Sequence, residues 1–257
     1  MEQNKKTISE IKQILADGNV GDKWLEKLRK DERKGVQQLI AQYEKKLANN
    51  KKLEEEYVTL LRNEKEWQAL GYRYIAGVDE VGRGPLAGPV TAGAAILPDN
   101  ALFPGLTDSK KLSEEKREYY YNLLKEQVIA YHVVHIPAEK IDSINIYQAS
   151  KEAMKQAVAG LSIKADALFI DAMSLPLPLK QLSLTKGDAK SASIAAASVL
   201  AKVERDRYMK EKANFYPEYG FEKHMGYGTK HHLEALRTYG PTPEHRKSFS
   251  PVKACLS

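Results

Sequence analysis

The chain contains 257 residues, 42% of them hydrophobic, which is enough for one sizeable core and a small appended domain. Its 40 Lys and Arg residues against 34 Asp and Glu residues give a formal net charge of +6, which is compatible with a polyanionic partner without requiring one. The single cysteine, Cys255, excludes internal disulfides and cysteine-based metal sites, and no apolar run reaches the roughly 18 residues of a membrane span.

Residues 1–70 predict a small N-terminal helical extension. Thr7 and Glu10 have the spacing of a capping box, and Gly18 would end the helix that they begin. Asp22 is expected to cap a second helix. Apolar residues at helical spacing then predict two more helices, one through Val36, Leu39, Ile40, Tyr43 and Leu47, and one through Leu53, Tyr57, Leu60, Leu61 and Trp67, closed by Gly71. Substrate binding and simple packing both stay open as the role of this extension.

Residues 71–257 alternate between strand-like and helix-like segments, which predicts an α/β catalytic domain with a helical, basic C-terminal tail. Strands are expected at 72–78, 90–97, 128–136, 167–171 and 181–185, and helices at 113–127, 145–159 and 191–212. The second strand is almost entirely apolar or small, as is typical of a strand buried on both faces.

The first predicted strand of this domain delivers two adjacent carboxylates, Asp79 and Glu80, to a glycine-rich turn. Neighbouring side chains of a regular strand point to opposite faces, so both acids can serve one site only where the strand ends or bends. Crowded carboxylates attract a cation, whereas N–H groups freed by Gly82 and Gly84, beside Arg83, attract an anion. The combination favours phosphodiester chemistry, and a solvated turn is the alternative.

The glycines do not follow the spacing of a nucleotide-binding loop. Gly82, Gly84 and Gly88 miss the G-x-G-x-x-G pattern, and Pro85 stands where the following helix would begin. The P-loop pattern G-x-x-x-x-G-K-[ST] is absent from the sequence as well. A dinucleotide or P-loop site is therefore not expected here.

Two further carboxylates are candidates for the same site. Asp171 ends a short buried strand, where active-site groups of α/β sheets collect, although it could instead cap a turn. Asp188 precedes an alanine-rich helix and could instead be its N-cap. Together with Asp79 and Glu80 they form a set of oxygen donors without a Cys or His pattern, which suits a hard ion such as Mg²⁺ or Mn²⁺.

Other charged residues have less specific readings. Lys110 and Lys186 could bind phosphates or be ordinary loop lysines. Lys202 and Asp206 stand four residues apart in a predicted helix, which indicates a local ion pair. The six histidines show no ligand spacing and are expected at the surface, where His245 in the basic tail could contact DNA.

The segment 75–90 resembles the signature of the type 2 ribonucleases H, specifically that of the bacterial ribonuclease HII family. Other segments resemble blocks of that family in the family's order, over about residues 72 to 250: 107–112, 141–146, 169–172, 186–190, 195–206 and 226–229. The resemblance implies a ribonuclease H-like fold, in which helices flank a mixed sheet. It also implies an endonuclease that hydrolyses the RNA strand of RNA–DNA hybrids and incises duplex DNA 5′ to single ribonucleotides, leaving a 5′-phosphate and a 3′-hydroxyl.

The resemblance favours the interpretation of the four carboxylates as metal ligands, and Asp188 matches the family's fourth acid. Two ions roughly 3.5–4 Å apart can hold one phosphate. We expect Asp79 to bridge the two Mg²⁺ or Mn²⁺ ions, Glu80 and Asp188 to serve one of them, and Asp171 the other.

Recognition of ribose depends on its 2′-hydroxyl. Gly82 and Gly84 would let the backbone approach the sugar closely, and Arg83 could pair with a phosphate. Tyr227 alone would be an ordinary surface tyrosine, but its match to the family block at 226–229 implies that it stacks on the sugar at an RNA–DNA junction. Met225 stands where the family pattern leads us to expect a lysine, so one phosphate contact is expected to be missing.

Two other functions stay open: a catalytically silent nucleic-acid-binding protein, and a DNA-only polynucleotidyl transferase of the same fold. The four carboxylates argue against the first, and the glycine turn with Tyr227 argues against the second. The expected partners are RNA–DNA hybrids and duplex DNA that contains ribonucleotides. Residues 1–6 lack the apolar stretch of a signal peptide, so we expect a cytoplasmic monomer without membrane association.

Overall fold

The computed structural model describes residues 6–18, 20–100 and 102–256. The chain divides into two compact units, Met1–Glu56 and Tyr57–Ser257. The signal-peptide prediction concerns residues 1–6, and residues 1–5 lie outside the described residues. Over the described part of the chain, no helix is both long and apolar enough to cross a membrane.

The N-terminal unit begins with helices α1 (Ile8–Asp17) and α2 (Asp22–Arg29). The predicted capping box is confirmed: Thr7 Oγ1 accepts a hydrogen bond from the Glu10 N–H, and Glu10 Oε2 accepts one from the Thr7 N–H at 2.7 Å. Gly18 ends α1 in the left-handed conformation at φ 75°, which costs glycine little. The unit buries its own apolar cluster, made of Ile11, Leu15, Leu25, Leu28, Val36 and Ile40.

Two predictions about this region are wrong. The N-cap of α2 is Gly21 rather than Asp22, which is the first residue of the helix. Helix α3 (Lys34–Leu60) continues through the stretch where a break between two helices was expected. That stretch contains neither glycine nor proline, so nothing in it interrupts the helix. The break comes at Leu61, before α4 (Arg62–Ala69).

Five strands form one mixed sheet, as predicted. They are β1 (Ile75–Val81), β2 (Val90–Ile96), β3 (Ala130–Ile136), β4 (Ala167–Asp171) and β5 (Lys180–Leu184), in the order β3-β2-β1-β4-β5. The pairs β1–β2 and β2–β3 are antiparallel, whereas β1–β4 and β4–β5 are parallel. β1 starts later than predicted and continues through both acids to Val81.

Helices cover both faces of the sheet. They are α5 (Glu114–Gln127), α6 (Ala138–Ile144), α7 (Ile146–Ala159) and α8 (Ala192–Phe215), and only α6 was not predicted. The helix α7 packs on the face that carries Ala76 and Val78, and α8 packs on the opposite face. Every residue of β2 is buried, which confirms the strand buried on both faces. Three further helices follow: α9 (Phe221–His224), α10 (Lys230–Tyr239) and α11 (Ser250–Lys253).

The backbone of α8 lies directly on the sheet because two strand residues are glycines. A Cβ atom on Gly77 would lie 2.0 Å from the carbonyl carbon of Ser193, and one on Gly93 would lie 2.6 Å from the carbonyl oxygen of Ala197. Such distances are impossible for a real side chain, so only glycine permits this approach. The close packing brings the first turns of α8 beside the end of β1.

The start of α8 is fixed by an acid from α4. Glu64 is buried, and its Oε1 accepts hydrogen bonds from the Ser191 hydroxyl at 2.5 Å and from the Ser193 N–H at 2.9 Å. A carboxylate at this position also complements the partial positive charge of the helix N-terminus. The residues just after Asp188 are therefore held by α4.

Candidate active site

The sheet topology gathers the predicted acids at one edge. β1 and β4 are parallel neighbours in which Val78 pairs with Ile170, so Asp79 and Asp171 are the next residues of their strands. Asp188 lies in a single 3₁₀ turn, Gly187–Ala189, that follows β5. We call Asp79, Glu80, Asp171 and Asp188 the acidic cluster.

The turn that carries Asp188 is tied to β4. The Gly187 N–H donates to Asp171 Oδ1 at 2.6 Å, and a Cβ atom on Gly187 would lie 2.6 Å from the Ile194 side chain. Ser191 is the N-cap of α8, since its side chain accepts from the Ile194 N–H. The alternative reading of Asp188 as this helix cap is therefore wrong.

Asp79 lies beside a pair of hydroxyls that the sequence analysis missed. Its carboxylate accepts from the Glu80 N–H at 2.8 Å, and burial raises its pKa against the opposing effect of the nearby Ser198 hydroxyl. Ser198 Oγ in turn lies 2.9 Å from Ser109 Oγ. Both serines lie within segments that resemble family blocks, but in the sequence they look like a core residue of a helix and an ordinary loop residue.

Burial and neighbouring carboxylates raise the pKa of three members of the acidic cluster, Asp79, Glu80 and Asp188. Burial, then the charge of Glu80, raises the pKa of Asp79 well above its ordinary value, and Asp171 and Asp188 act in the same direction. Burial also raises the pKa of Glu80, against the opposing effect of Arg83, whose Nη1 lies 3.5 Å from Glu80 Oε1. The cluster thus holds more negative charge than the surrounding side chains neutralise.

Asp108 and Lys110 lie near the acidic cluster and interact with it electrostatically. Burial, then the charges of Asp108 and Asp171, raises the pKa of Asp188 to about 6. Partial burial acts to lower the pKa of Lys110, but the charges of Asp79 and Asp108 outweigh it, so the pKa of Lys110 rises. The structure therefore places Lys110 near the acids, as its predicted role requires, and adds Asp108, which the sequence analysis left out.

The acidic cluster has the donor chemistry of a hard-cation site. Its donors are all carboxylate oxygens, and Glu80 Oε2 is buried without a hydrogen-bond partner. Within the described residues, no group of three or more His, Cys, Asp or Glu side chains converges closely enough to hold a metal ion by itself. Mg²⁺ usually keeps several waters and takes one or two carboxylates together with substrate phosphates, so these residues fit such an ion.

The predicted sugar-binding residues meet across a narrow gap. A Cβ atom on Gly84 would lie 3.6 Å from Cε1 of Tyr227, and this is its nearest contact. Tyr227 is 46% exposed, so its ring is accessible. Arg83 is exposed beside Glu80, and Lys186 is exposed, in the left-handed conformation at φ 56°, on the turn that leads to Asp188. Gly84 and Tyr227 are thus neighbours, and Lys186 lies on the surface.

Two fully buried arginines support the segment 82–89, which we call the glycine loop. Arg246 was expected in a basic tail, but its guanidinium donates to the carbonyl oxygens of Gly82, Arg83 and Gly88. Arg205 donates to the carbonyl oxygens of Pro89, Ala87 and Met225, at 2.9, 3.2 and 3.0 Å. The two side chains fix the loop from inside the protein.

The surface prediction for the histidines is wrong for two of them. His232 and His245 are buried and share a contact of 3.0 Å between their Nε2 atoms. Burial lowers the pKa of each to about 4, so both are neutral at physiological pH. His245 also forms an isolated β-bridge with Ala87, so the segment expected to contact DNA packs against the glycine loop instead.

The structure also shows the surroundings of Lys202, Asp206 and Met225. The ion pair between Lys202 and Asp206 is confirmed, with Nζ 2.6 Å from Oδ1. Met225, at the position where a lysine was expected, is partly buried against an apolar cluster that contains Met209 and Phe221. Its side chain contributes packing there.

Comparison with known proteins gives a consistent result. The family model described as ribonuclease HII matches residues 76–252, and the model of the ribonuclease HII N-terminal domain matches residues 7–68. The ribonuclease HII of Halalkalibacterium halodurans is 54% identical over 249 residues, which cover 96% of this chain and 95% of the relative. That of Shouchella clausii is 56% identical over 245 residues, 95% of each chain. The crystal structure of ribonuclease H2 from Pyrococcus horikoshii is 27% identical, with a TM-score of 0.62 over 70% of this chain and 96% of that one.

Proposed function

The chain belongs to the ribonuclease HII family and has its endoribonuclease activity, and we propose that it both hydrolyses the RNA strand of RNA–DNA hybrids and incises duplex DNA 5′ to single embedded ribonucleotides. One observation carries this proposal: an acidic cluster with uncompensated negative charge continues directly into a glycine loop that faces an exposed tyrosine. The first feature suits phosphodiester hydrolysis and the second suits recognition of a sugar.

In this proposal, Asp79, Glu80, Asp171 and Asp188 hold two divalent ions, Mg²⁺ or Mn²⁺, in the reacting complex. When bound, the ions would activate the attacking water and stabilise the leaving 3′-oxygen. Asp79 would serve both ions, Glu80 and Asp188 would serve one of them, and Asp171 would serve the other. The all-oxygen donor set and the unpartnered Glu80 Oε2 support a cation site here.

The residues around the acidic cluster orient its carboxylates. The Glu80 N–H donates to Asp79 Oδ1, and the Gly187 N–H donates to Asp171 Oδ1. Hydrogen bonds to chosen oxygens leave the other lone pairs free to face a cation. The ammonium of Lys110, which lies near these acids, would pair with a substrate phosphate. In-line attack by water would leave a 5′-phosphate and a 3′-hydroxyl.

Selection for ribose rests on the gap between the glycine loop and Tyr227. Gly84 carries no Cβ, so a sugar can approach its backbone while the Tyr227 ring packs on the sugar's face. Gly82 belongs to the same loop, and Arg83 and Lys186 are exposed cations that can contact neighbouring phosphates. A DNA-only enzyme would have no use for a site that senses the 2′-hydroxyl.

The proposal keeps the expectations of a cytoplasmic monomer. The single cysteine suits a reducing compartment, and the substrates named above are RNA–DNA hybrids and DNA that contains ribonucleotides.

A labelled DNA duplex with one internal ribonucleotide tests the function directly. The chain is incubated with it in Mg²⁺ and separately in Mn²⁺, beside an all-DNA duplex and an RNA–DNA hybrid. We expect one cut on the 5′ side of the ribonucleotide, lost on chelation, and no cut in the all-DNA duplex. Binding without cutting would instead favour a silent binding protein, and cutting of the all-DNA duplex would favour a DNA-only enzyme.

A further inference from the structure

We propose that Arg246 is a positioning residue that aims two backbone N–H groups of the glycine loop, those of Arg83 and Gly84, at the ribonucleotide. This inference rests on the proposed function, since it names the side chain that holds the loop proposed there to contact the sugar. It assigns a role in substrate discrimination to a side chain that lies inside the protein and touches no substrate.

The first observation is that all three guanidinium nitrogens of Arg246 donate hydrogen bonds to the glycine loop. Its side chain is fully buried, and Nε donates to the Gly88 carbonyl oxygen at 3.0 Å. Nη1 donates to the Arg83 carbonyl oxygen at 2.8 Å, and Nη2 donates to the carbonyl oxygens of Gly88, at 2.9 Å, and Gly82. One planar guanidinium thus grips the loop at both ends, which a point charge on a flexible stem does not do.

The second observation concerns the direction of the peptide planes. In a trans peptide, the carbonyl oxygen and the following N–H lie on opposite sides of the C–N bond. The carbonyls of Gly82 and Arg83 point inward to Arg246, so the N–H groups of Arg83 and Gly84 point away from it. Over the described residues, neither N–H donates to a protein acceptor. Both donors therefore remain available to a ligand.

The third observation is where these donors lie. Gly84 faces the exposed ring of Tyr227, and Arg83 lies beside Glu80 of the acidic cluster. The two N–H groups belong to the stretch of chain that leads from the acidic cluster to the gap where the sugar is proposed to lie. Oxygen acceptors of a ribonucleotide, on its sugar and its phosphate, match such donors.

Arg205 provides an internal contrast. It holds the carbonyls of Ala87, Pro89 and Met225, but the N–H groups that follow two of these are already used within the protein. The Gly88 N–H donates to the Glu244 carbonyl oxygen at 2.8 Å, and the Gly226 N–H donates to His224 Nδ1 at 3.2 Å. Arg205 therefore holds peptides whose N–H groups are used within the protein. Arg246 holds the carbonyls of Gly82 and Arg83, which precede the free N–H groups of Arg83 and Gly84.

Arg246→Lys tests the inference by kinetics. On a duplex with one ribonucleotide, we expect KM to rise by about tenfold or more with a smaller change in kcat, because binding of the sugar is lost rather than the chemistry. The inhibition constant of an all-DNA duplex should stay unchanged. Met154→Ala is the control: Met154 is fully buried in α7 under the other face of the sheet, so its truncation destabilises the protein without touching the loop.

A purely structural role for Arg246 predicts another pattern. Destabilisation lowers the active fraction, so kcat would fall and KM would stay constant in both variants. Equal behaviour of Arg246→Lys and Met154→Ala would therefore overturn the inference while leaving the proposed function intact. A wild-type chain that cuts no ribonucleotide-containing duplex would instead overturn the proposed function, and this inference with it.

A spectroscopic measurement tests whether the two N–H groups that Arg246 is proposed to aim contact the ribonucleotide, and it does not depend on the folding of Arg246→Lys. In the Asp171→Asn chain, which is expected to bind without cutting, the amide proton resonances of Arg83 and Gly84 can be followed by NMR. We expect both to shift on addition of the ribonucleotide-containing duplex and to move much less with the all-DNA duplex. Equal shifts with the two duplexes would contradict the inference.

Discussion

The acidic cluster and the glycine loop meet at the end of β1, yet they contain buried charge of opposite sign with different surroundings. In the cluster, burial and neighbouring carboxylates raise the pKa of Asp79, Glu80 and Asp188, and Glu80 Oε2 has no hydrogen-bond partner. Beneath the loop, the buried guanidiniums of Arg205 and Arg246 donate to backbone carbonyls on several sides. The carbonyl oxygens of the loop that these guanidiniums bind are satisfied within the protein, whereas the carboxylates of the cluster require cations from outside the chain.

The largest expected effect comes from the cluster. Asp171→Asn should lower cleavage by at least about a thousandfold, because it removes a charged ligand while keeping the shape of the side chain. Binding of an RNA–DNA hybrid, measured by fluorescence anisotropy, should persist. Asp206→Asn is the matched control, since it breaks only the pair with Lys202. Cleavage retained in Asp171→Asn would contradict the assignment of Asp171 as a metal ligand.

The glycine loop separates a functional glycine from a structural one. Gly84→Ala places a Cβ 3.6 Å from Tyr227, an ordinary contact, so the protein should keep its thermal stability and lose about a hundredfold in cleavage of ribonucleotide substrates. Gly82→Ala sets a Cβ 2.1 Å from Arg205 Nε at φ 87°, which should destabilise folding by roughly 1–3 kcal/mol or more. Thermal unfolding beside cleavage rates measures both, and a destabilised Gly84→Ala would reject this division.

A smaller effect is expected from the exposed side of the gap. Tyr227→Ala should lower cleavage at a single ribonucleotide by about tenfold, the scale of one lost stacking contact, and should affect long hybrids less. In a long hybrid, neighbouring ribonucleotides offer other registers for binding. Equal losses on the two substrates, compared as kcat/KM, would remove the junction role from Tyr227.

The smallest effect concerns the stability of the histidine pair beside the glycine loop. Burial lowers the pKa of His232 and His245 to about 4 from an unfolded value of 6.5, so below pH 6.5 the unfolded state binds protons that the folded state rejects. Stability should therefore fall as the pH drops from 6.5 towards 4, by about 1 kcal/mol per histidine between pH 6.5 and 5.5.

Urea unfolding at pH 7 and pH 5.5 measures this dependence. His245→Gln should reduce it, whereas the exposed His231→Gln should leave it unchanged. An unaltered pH dependence in His245→Gln would show that other groups carry the effect.

Local rules explain what the sequence could predict. The capping box at Thr7 and Glu10 and the helix starts at Ser113 and Ser191 depend on neighbours within a few residues. The strand that ends on Asp171 was placed correctly because a short apolar run stops there. The resemblance placed Asp171 and Asp79 in one site, and active-site groups of α/β sheets collect at the C-terminal ends of strands. The observed register of β1 and β4 brings the two acids together.

Long-range contacts explain what the sequence could not predict. Arg246 bonds to carbonyls that stand 158 or more positions away in the chain, and backbone carbonyls leave no signature in a sequence. Burial of His232 and His245 depends on the same packing. The hydroxyls of Ser109 and Ser198 meet across 89 positions, and neither residue type signals such a role. Recognition of family blocks located the acids but not the residues that hold the loop.

Thermal unfolding during a Mn²⁺ titration tests the contrast between the two regions most directly. Cations that bind the folded chain raise its melting temperature, so the wild type and Gly84→Ala should gain the same increment. Asp79→Asn should gain far less, because it removes the proposed bridging carboxylate. An equal Mn²⁺-dependent increment in Asp79→Asn would contradict the claim that the acidic cluster is where the chain requires cations.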